Sequence, residues 1–115
     1  MTPAISYQQG AIVVVHFPFT DVSQTQKRPA LILSNATINQ TGDYLMVQIT
    51  SQVKPDGLSL PINPIDYISI PLPLTSFVRI HKVFLLNESL ILSRFGAVVP
   101  TFHGSVVTRL MDFPR

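Results

Sequence analysis

The chain has 115 residues, enough for one packed core and too few for two, so residues 1–115 are predicted to form a single domain. Charged residues make up only 12% of it, about half of the ~25% usual for soluble domains, and the formal net charge is +2. The absence of cysteine excludes a disulfide scaffold, a cysteine-ligated zinc site and a thiol nucleophile.

A surface with so few charges is often covered by a partner or by a second copy of the chain, so we expect self-association. The first ten residues lack the basic and apolar regions of a signal peptide, and the apolar run over residues 11–15 is too short to cross a bilayer. We therefore expect a cytoplasmic protein that makes no membrane contact. The weak positive charge permits binding to phosphates without requiring it.

Three strands are predicted in the first half of the chain. The valine-rich segment Ala11–Phe17 is typical of a buried strand, and residues 30–36 and 44–50 predict two more. The polar residues 20–26 indicate a mobile surface loop. Residues 39–43 carry a strong turn signal, so the second and third strands should form an antiparallel hairpin.

The second half of the chain begins with a proline-rich connection. Residues 54–73 hold five of the ten prolines, which argues against a central strand and favours a long connection with a short edge strand near residues 67–70. Residues 77–86 predict a long strand, and residues 90–99 predict another that is interrupted at Gly96.

Helical spacing is confined to the C-terminal segment. Phe102, Val106, Leu110 and Phe113 recur at helical intervals, with Thr101 as the predicted N-cap. Many short strands and one helix predict a mainly β fold with a C-terminal helix, an α+β class built as a small, strongly bent barrel.

The hairpin brings two residues with useful chemistry together. If its turn is centred on Gln40, Arg28 lies opposite Gln52, and Thr50 is its diagonal neighbour on the same face, roughly 7–8 Å away. The guanidinium and the hydroxyl should therefore converge beside the loop at residues 20–26.

An arginine with a threonine suits one reaction class. RNA carries its own nucleophile, the 2′-OH beside each phosphorus, so an enzyme has to stabilise charge on the phosphate and move protons. Arginine presents a planar fork of donors that matches phosphate oxygens, and a threonine hydroxyl can orient the phosphate or the attacking group. On the residues alone, an exposed arginine entering a strand and a β-branched residue within a strand are the simpler interpretations of Arg28 and Thr50.

Four segments, in chain order, resemble the MazF/PemK family of toxin endoribonucleases. They are GAIVVVHFPFTD (residues 10–21), KRPALILS (27–34), ITS (49–51), and SFVRIHKVF (76–84) followed by SLI (89–91) and Gly96. The resemblance implies an SH3-like barrel of the MazF/CcdB type, a homodimer, and metal-independent cleavage of single-stranded RNA to a 2′,3′-cyclic phosphate. It also implies a cognate antitoxin that inhibits the chain, and it requires no cofactor.

The resemblance also assigns site residues. The family's catalytic arginine and threonine correspond to Arg28 and Thr50, the pair that the hairpin brings together, which favours the catalytic interpretation over the simpler one. The wider set expected to bind RNA comprises Phe19, Thr20, Lys27, Ser51, Gln52, Arg79 and Lys82. The family often has aspartate where this chain has His16 and His81, so these two are candidate modulators of activity. Three histidines without clustered carboxylates predict no metal site.

Two other functions are consistent with parts of this pattern. A catalytically silent relative that only binds RNA or a protein would keep the fold, and the two histidines leave that alternative open. A gyrase-poisoning toxin of the CcdB type has a related fold but relies on a tryptophan near its C-terminus. This chain contains no tryptophan, which makes that alternative weaker.

Overall fold

A computed structural model describes residues 6–17 and 26–114 of the chain. The regular elements of that part are six strands, two α-helices and two 3-10 turns: β1 Ala11–Phe17, β2 Gln26–Ile32, α1 Ala36–Asn39, β3 Asp43–Thr50, β4 Ser59–Ile62, the turn Pro64–Asp66, β5 Ser76–Asn87, the turn Glu88–Leu90, β6 Ile91–Ala97 and α2 Pro100–Met111. The predicted mainly β fold with a C-terminal helix is confirmed. The loop predicted over residues 20–26 lies almost wholly outside the described residues.

All six strands belong to one antiparallel sheet in the order β4-β5-β3-β2-β1-β6. Within the described residues the ladder has two edges, β4 and β6, so the predicted barrel is not closed by strand pairing. The chain after β4 instead crosses to the β6 edge, where Tyr67 forms an isolated bridge with Val98 and the Ile68 N–H donates to the Ala97 carbonyl at 2.9 Å. This segment, residues 63–75, links the two edges of the sheet and is called the crossing.

The sheet buries side chains on both faces. One cluster packs the face that carries α2 and includes Ile12, Val47 and Ile80 together with Phe102 and Val106 of the helix. The second cluster forms on the opposite face around Val13, Ile32, Tyr44, Met46 and Leu86. Alternation along β2 and β3 therefore assigns their buried apolar residues to one of two layers.

The connection between β2 and β3 is a short helix held by a buried polar network. The Asn39 amide donates to the Ser34 carbonyl at 3.0 Å, and the Ser34 hydroxyl donates to the Asn39 side-chain oxygen. The Leu45 N–H donates to the same hydroxyl oxygen at 2.9 Å, and Gly42 closes the turn at φ 93°. This network replaces the simple turn predicted over residues 39–43 and fixes the hairpin register.

The observed positions of three elements differ from the predicted ones. The second strand is Gln26–Ile32 rather than residues 30–36, since the chain turns into α1 after Ile32. The edge strand is Ser59–Ile62 rather than residues 67–70; it contains Pro61, which an edge position tolerates. The C-terminal helix is capped by Val99 rather than Thr101, because Pro100 occupies its first turn and needs no N–H partner there.

Candidate functional site

The sheet carries a cavity of about 480 Å³ next to the ends of β2 and β3. Residues from five separate stretches of the chain line it: Val14; Lys27, Arg28 and Pro29; Ile49, Thr50, Ser51 and Gln52; Leu72, Pro73, Leu74 and Ser76; and Phe95. Among these described residues two are cationic and none is acidic. The cavity therefore combines a positive, hydrogen-bonding side with an apolar wall, which suits an anion attached to an apolar or aromatic group.

Arg28 and Thr50 meet at this cavity because the ladder between their strands stops short of them. Within the described residues, β2 pairs with β3 from Ile32–Met46 to Ala30–Gln48. Continuing that register by two residues sets Arg28 opposite Thr50, beyond the last ladder pair. Pro29 lies at this point and has no N–H to donate to a ladder. The predicted hairpin is confirmed, and its register differs by two residues from the one centred on Gln40.

The hydroxyl of Thr50 is oriented by the chain that follows it. Its oxygen accepts a hydrogen bond from the Gln52 N–H at 3.1 Å, which leaves the hydroxyl proton available to a further acceptor. Thr50 and Arg28 are both half-buried, so they are shielded in part from water and are still reachable from the cavity. Partial shielding strengthens the attraction between a guanidinium and a phosphate.

Three further predicted residues share the cavity. Lys27, Ser51 and Gln52 line it and are exposed, so each is accessible to a ligand. Their contact with RNA stays a prediction. Phe19 and Thr20 fall outside the described residues.

Arg79, predicted to contact RNA, lies away from the cavity. Its side chain is buried and does not line the cavity. Its guanidinium makes a bidentate ion pair with Asp56, at 3.0 Å from Nη1 to Oδ1 and 2.8 Å from Nη2 to Oδ2, and Nη1 also donates to the Ser59 hydroxyl at 2.8 Å. A guanidinium held in this way is not available to a phosphate. The pair also holds the pKa of the Asp56 carboxyl well below its ordinary value, because Arg79 and the Leu58 N–H both donate to the charged form.

The remaining predicted residues lie outside the cavity lining. Lys82 and His81 are exposed on β5, where the register with β3 shifts between Val47 and Ile49. His16 is half-buried on β1 opposite Lys27, and its Nδ1 is buried without a hydrogen-bond partner among the described residues. A modulating role for the two histidines and RNA contact by Lys82 stay predictions.

The apolar wall of the cavity was missed by the sequence reasoning. Leu72 and Leu74 come from the proline-rich crossing, and Phe95 comes from β6, which borders β1 rather than β3. Ser76 is buried at the start of β5, where its hydroxyl donates to the Leu74 carbonyl at 2.8 Å. The alternation of proline and leucine over residues 71–74 marks a rigid exposed segment, but it does not indicate which part of the sheet that segment covers.

In residues 6–17 and 26–114, no three side chains of the His, Cys, Asp or Glu types come together as metal ligands would. No helix in that part of the chain is long and apolar enough to cross a bilayer.

Comparison with known proteins identifies the family of the chain. The sequence model of the family described as PemK-like, MazF-like toxin of type II toxin-antitoxin system matches residues 8–113. A comparison with curated proteins found no significant match.

Among solved structures, a chain of the MazE-MazF complex (Form-II) from Deinococcus radiodurans superposes with a TM-score of 0.76 at 21% identity, covering 96% of each chain. An endoribonuclease from a mycobacterial species, solved in complex with its cognate antitoxin, gives a TM-score of 0.71 at 23% identity over 91% of each chain. The Mycobacterium tuberculosis toxin MazF-mt6 gives 0.66 at 14% identity over 87% of this chain and 90% of that one. These likenesses show a shared fold, and with the family match over residues 8–113 the chain belongs to the PemK-like, MazF-like toxins of type II toxin-antitoxin systems.

Proposed function

We propose that this toxin is a sequence-specific endoribonuclease that cleaves single-stranded RNA, mRNA in particular, without a metal ion. The observation that carries the proposal is that Arg28 and Thr50, from adjacent strands, line one cavity with Lys27 beside them and no acidic residue among the described lining. Such a cavity attracts the phosphate backbone and offers both a charged fork and a neutral hydroxyl. Solved structures with this fold include proteins described as endoribonucleases, which supports the same reaction class here.

The proposed reaction uses the nucleophile that RNA supplies. The 2′-oxygen attacks the adjacent phosphorus, the bond from phosphorus to the 5′-oxygen breaks, and the products are a 2′,3′-cyclic phosphate and a 5′-hydroxyl. One proton leaves the 2′-OH and one joins the departing 5′-oxygen. Arg28 stabilises the charge that builds on the non-bridging oxygens, and the Thr50 hydroxyl donates to one of them. No step needs a metal-bound water, because water is not the attacking group.

The apolar wall suggests how RNA is held next to these residues. Phe95 is 38% exposed at the cavity, and the side chains of Leu72 and Leu74 lie nearby. Nucleobases bind to such surfaces by stacking and apolar contact, whatever their sequence. Gln52 and Ser51 offer hydrogen bonds on the polar side, which is where discrimination between bases would arise.

The partners we propose follow from the family and from composition. The cognate antitoxin is expected to inhibit the chain by direct binding, as a protein segment that competes with RNA for the cationic cavity. A homodimer is expected because charged residues are only 12% of the sequence. We place the protein in the cytoplasm, where its RNA substrate is available.

A cleavage assay in EDTA tests the proposal. The purified toxin is incubated with a long unstructured RNA, and the fragment ends are mapped for the wild type and for Arg28→Ala. We expect discrete cuts with 5′-hydroxyl and cyclic phosphate ends, which disappear for the variant and for an RNA carrying 2′-deoxyribose at the cut position. Cleavage of that deoxy substrate would exclude attack by the 2′-oxygen. A folded wild-type protein that leaves the RNA intact would favour the silent, binding-only alternative.

A further inference from the structure

The loop that follows Thr50, residues 51–58, is attached at its far end to a buried arginine. Arg79 of β5 is only 7% exposed, and its guanidinium binds both carboxylate oxygens of Asp56. The same guanidinium donates to the Ser59 hydroxyl at 2.8 Å, where the loop enters β4. Bidentate pairing of this kind fixes the orientation of both partners as well as their distance.

Two more bonds hold the same end of the loop. The Asp56 carboxylate accepts from the Leu58 N–H at 3.1 Å, and Arg109 of α2 donates from Nη2 to the Gly57 carbonyl at 3.1 Å. Gly57 has φ 75°, a conformation that favours glycine, so the backbone itself is specified at this turn. The loop is therefore tied to β5 and to α2 over residues 56–58.

The near end of the loop belongs to the cavity. Ser51 and Gln52 line it, and the Gln52 N–H holds the oxygen of the Thr50 hydroxyl. Between the two ends, residues 53–55 are exposed, with Val53 at 72%, so they pack little against the sheet. The position of Gln52 therefore depends on the end of β3 and on the attachment at Asp56, since the middle of the loop has little packing to fix it.

We propose that Arg79 and Asp56 are positioning residues for RNA cleavage, which act through the 51–58 loop to keep Gln52 and the Thr50 hydroxyl in place at the cavity. This inference rests on the proposed function, and it assigns a role in the reaction to an ion pair that lies outside the cavity lining. Asp56 and Arg79 touch no substrate; their effect on the reaction passes through the Gln52 N–H.

The test compares the same chemical change at two places, one beyond the end of β3 and one at its start. Asp56→Asn keeps the side-chain shape and removes the charge and the bidentate pairing. Asp43→Asn makes the same change at the start of β3, where the carboxylate accepts from the Asn87 amide at 3.1 Å, far along the strand from Thr50. Thermal unfolding, kcat and KM on a cleavable RNA, and hydrogen exchange of residues 51–58 are measured for both.

For Asp56→Asn we expect faster exchange over residues 51–58 and a kcat lower by about 10- to 100-fold, with KM within about threefold, because the reacting groups are misplaced rather than removed. Asp43→Asn should match the wild type in all of these measurements. A kcat equal to the wild type in Asp56→Asn, despite faster exchange, would reduce the ion pair to a purely structural element. Unchanged exchange would show that the pair does not hold the loop.

A second variant covers the case in which a buried, unpaired Arg79 destabilises the protein. The double substitution Arg79→Met with Asp56→Asn removes the buried charge and retains apolar volume, so it should fold while leaving the loop untied. The same loss of kcat is expected from it, and full activity would overturn the inference. If the wild type cleaves no RNA, the proposed function fails, and the exchange data alone decide whether the pair holds the Gln52 amide.

Discussion

Arg28 on β2 and Thr50 on β3 reach the same cavity from two strands whose ladder ends two residues before them. A continued ladder would hold both backbones at the usual strand spacing. Here the ladder ends next to Pro29, and the cavity is lined by the residues just beyond its last pair. The pair thus combines placement on rigid strands with access from solvent, as a preorganised site requires.

Replacing Arg28 should remove RNA cleavage without unfolding the protein. We expect Arg28→Ala to lower kcat/KM by roughly 100- to 1,000-fold, as is common when one charge stabiliser is lost. Arg28→Lys should recover only part of the rate, because lysine keeps the charge and lacks the planar fork. Initial rates on a defined RNA, with circular dichroism to check the fold, measure both effects.

Arg94→Ala is the matched control for Arg28→Ala. Arg94 is exposed on β6 and does not line the cavity, so its loss should change the rate little. Equal losses in the two variants would indicate a general effect of net charge on RNA binding and would count against a specific role for Arg28.

The hydroxyl of Thr50 should contribute less than the guanidinium. Thr50→Val keeps the shape of the side chain and removes the hydroxyl, so we expect a loss of about tenfold in kcat, equivalent to ~1.4 kcal/mol for one hydrogen bond. Thr50→Ser keeps the hydroxyl that accepts from the Gln52 N–H and should retain most of the activity. If valine and serine gave the same rate, the hydroxyl would have no part in the reaction.

Sequence patterns are sufficient to predict the strands and helices whose residues follow a regular hydrophobic spacing. Ala11–Phe17 is a strand with the predicted bounds, and α2 follows the spacing of Phe102 and Val106. The hairpin was predicted from its turn residues, and it brought Arg28 and Thr50 together. Its register was off by two because α1, only four residues long, carries no periodicity that a sequence pattern can reveal.

The cavity lining and the burial of Arg79 could not be predicted from the sequence, because both depend on contacts between distant segments. Nothing near residue 72 or Phe95 indicates that they line the same cavity as Arg28, because the crossing from β4 to the β6 edge is a property of the whole sheet. The burial of Arg79 could not be predicted from the sequence for the same reason. A charged residue on a strand is usually solvated, and its burial here depends on Asp56, which is 23 positions away in the sequence.

Gly96 has no side chain at a point where the crossing packs closely against β6, and its backbone angle is one that other residues also adopt. A Cβ on Gly96 would lie 2.7 Å from the Ser69 hydroxyl oxygen, so an alanine requires that hydroxyl to leave its present rotamer or the crossing to shift away from β6. We expect Gly96→Ala to lower the free energy of unfolding by about 1–3 kcal/mol, as overpacking commonly does. Combining it with Ser69→Ala should recover most of that loss in denaturant unfolding, and a double variant no more stable than Gly96→Ala would locate the strain elsewhere.

We expect a homodimer because of the low charge content and the exposed apolar side chains. Ile65 and Ile70 are 83% and 78% exposed on the crossing, so both are available to pack against a second copy of the chain. We expect a dimer in sedimentation velocity at micromolar concentration and at physiological salt. A single monomeric species across that concentration range would contradict the expected homodimer.

The ion pair of Asp56 should leave a signature in the pH dependence of stability. The pKa of Asp56 is lowered from its ordinary value of 3.8 by hydrogen bonds from Arg79 and the Leu58 N–H. A carboxyl whose pKa is lower in the folded state stabilises the fold above its ordinary pKa, and this contribution is lost as the pH falls toward the folded value. The difference in Tm between the wild type and Asp56→Asn should therefore be constant from about pH 8 to about pH 5 and should shrink below about pH 4. Other carboxyls titrate in both proteins and cancel in the comparison. A difference that persists unchanged to about pH 3 would mean that the Asp56→Asn substitution destabilises the fold through the geometry of the amide and not through the lost charge.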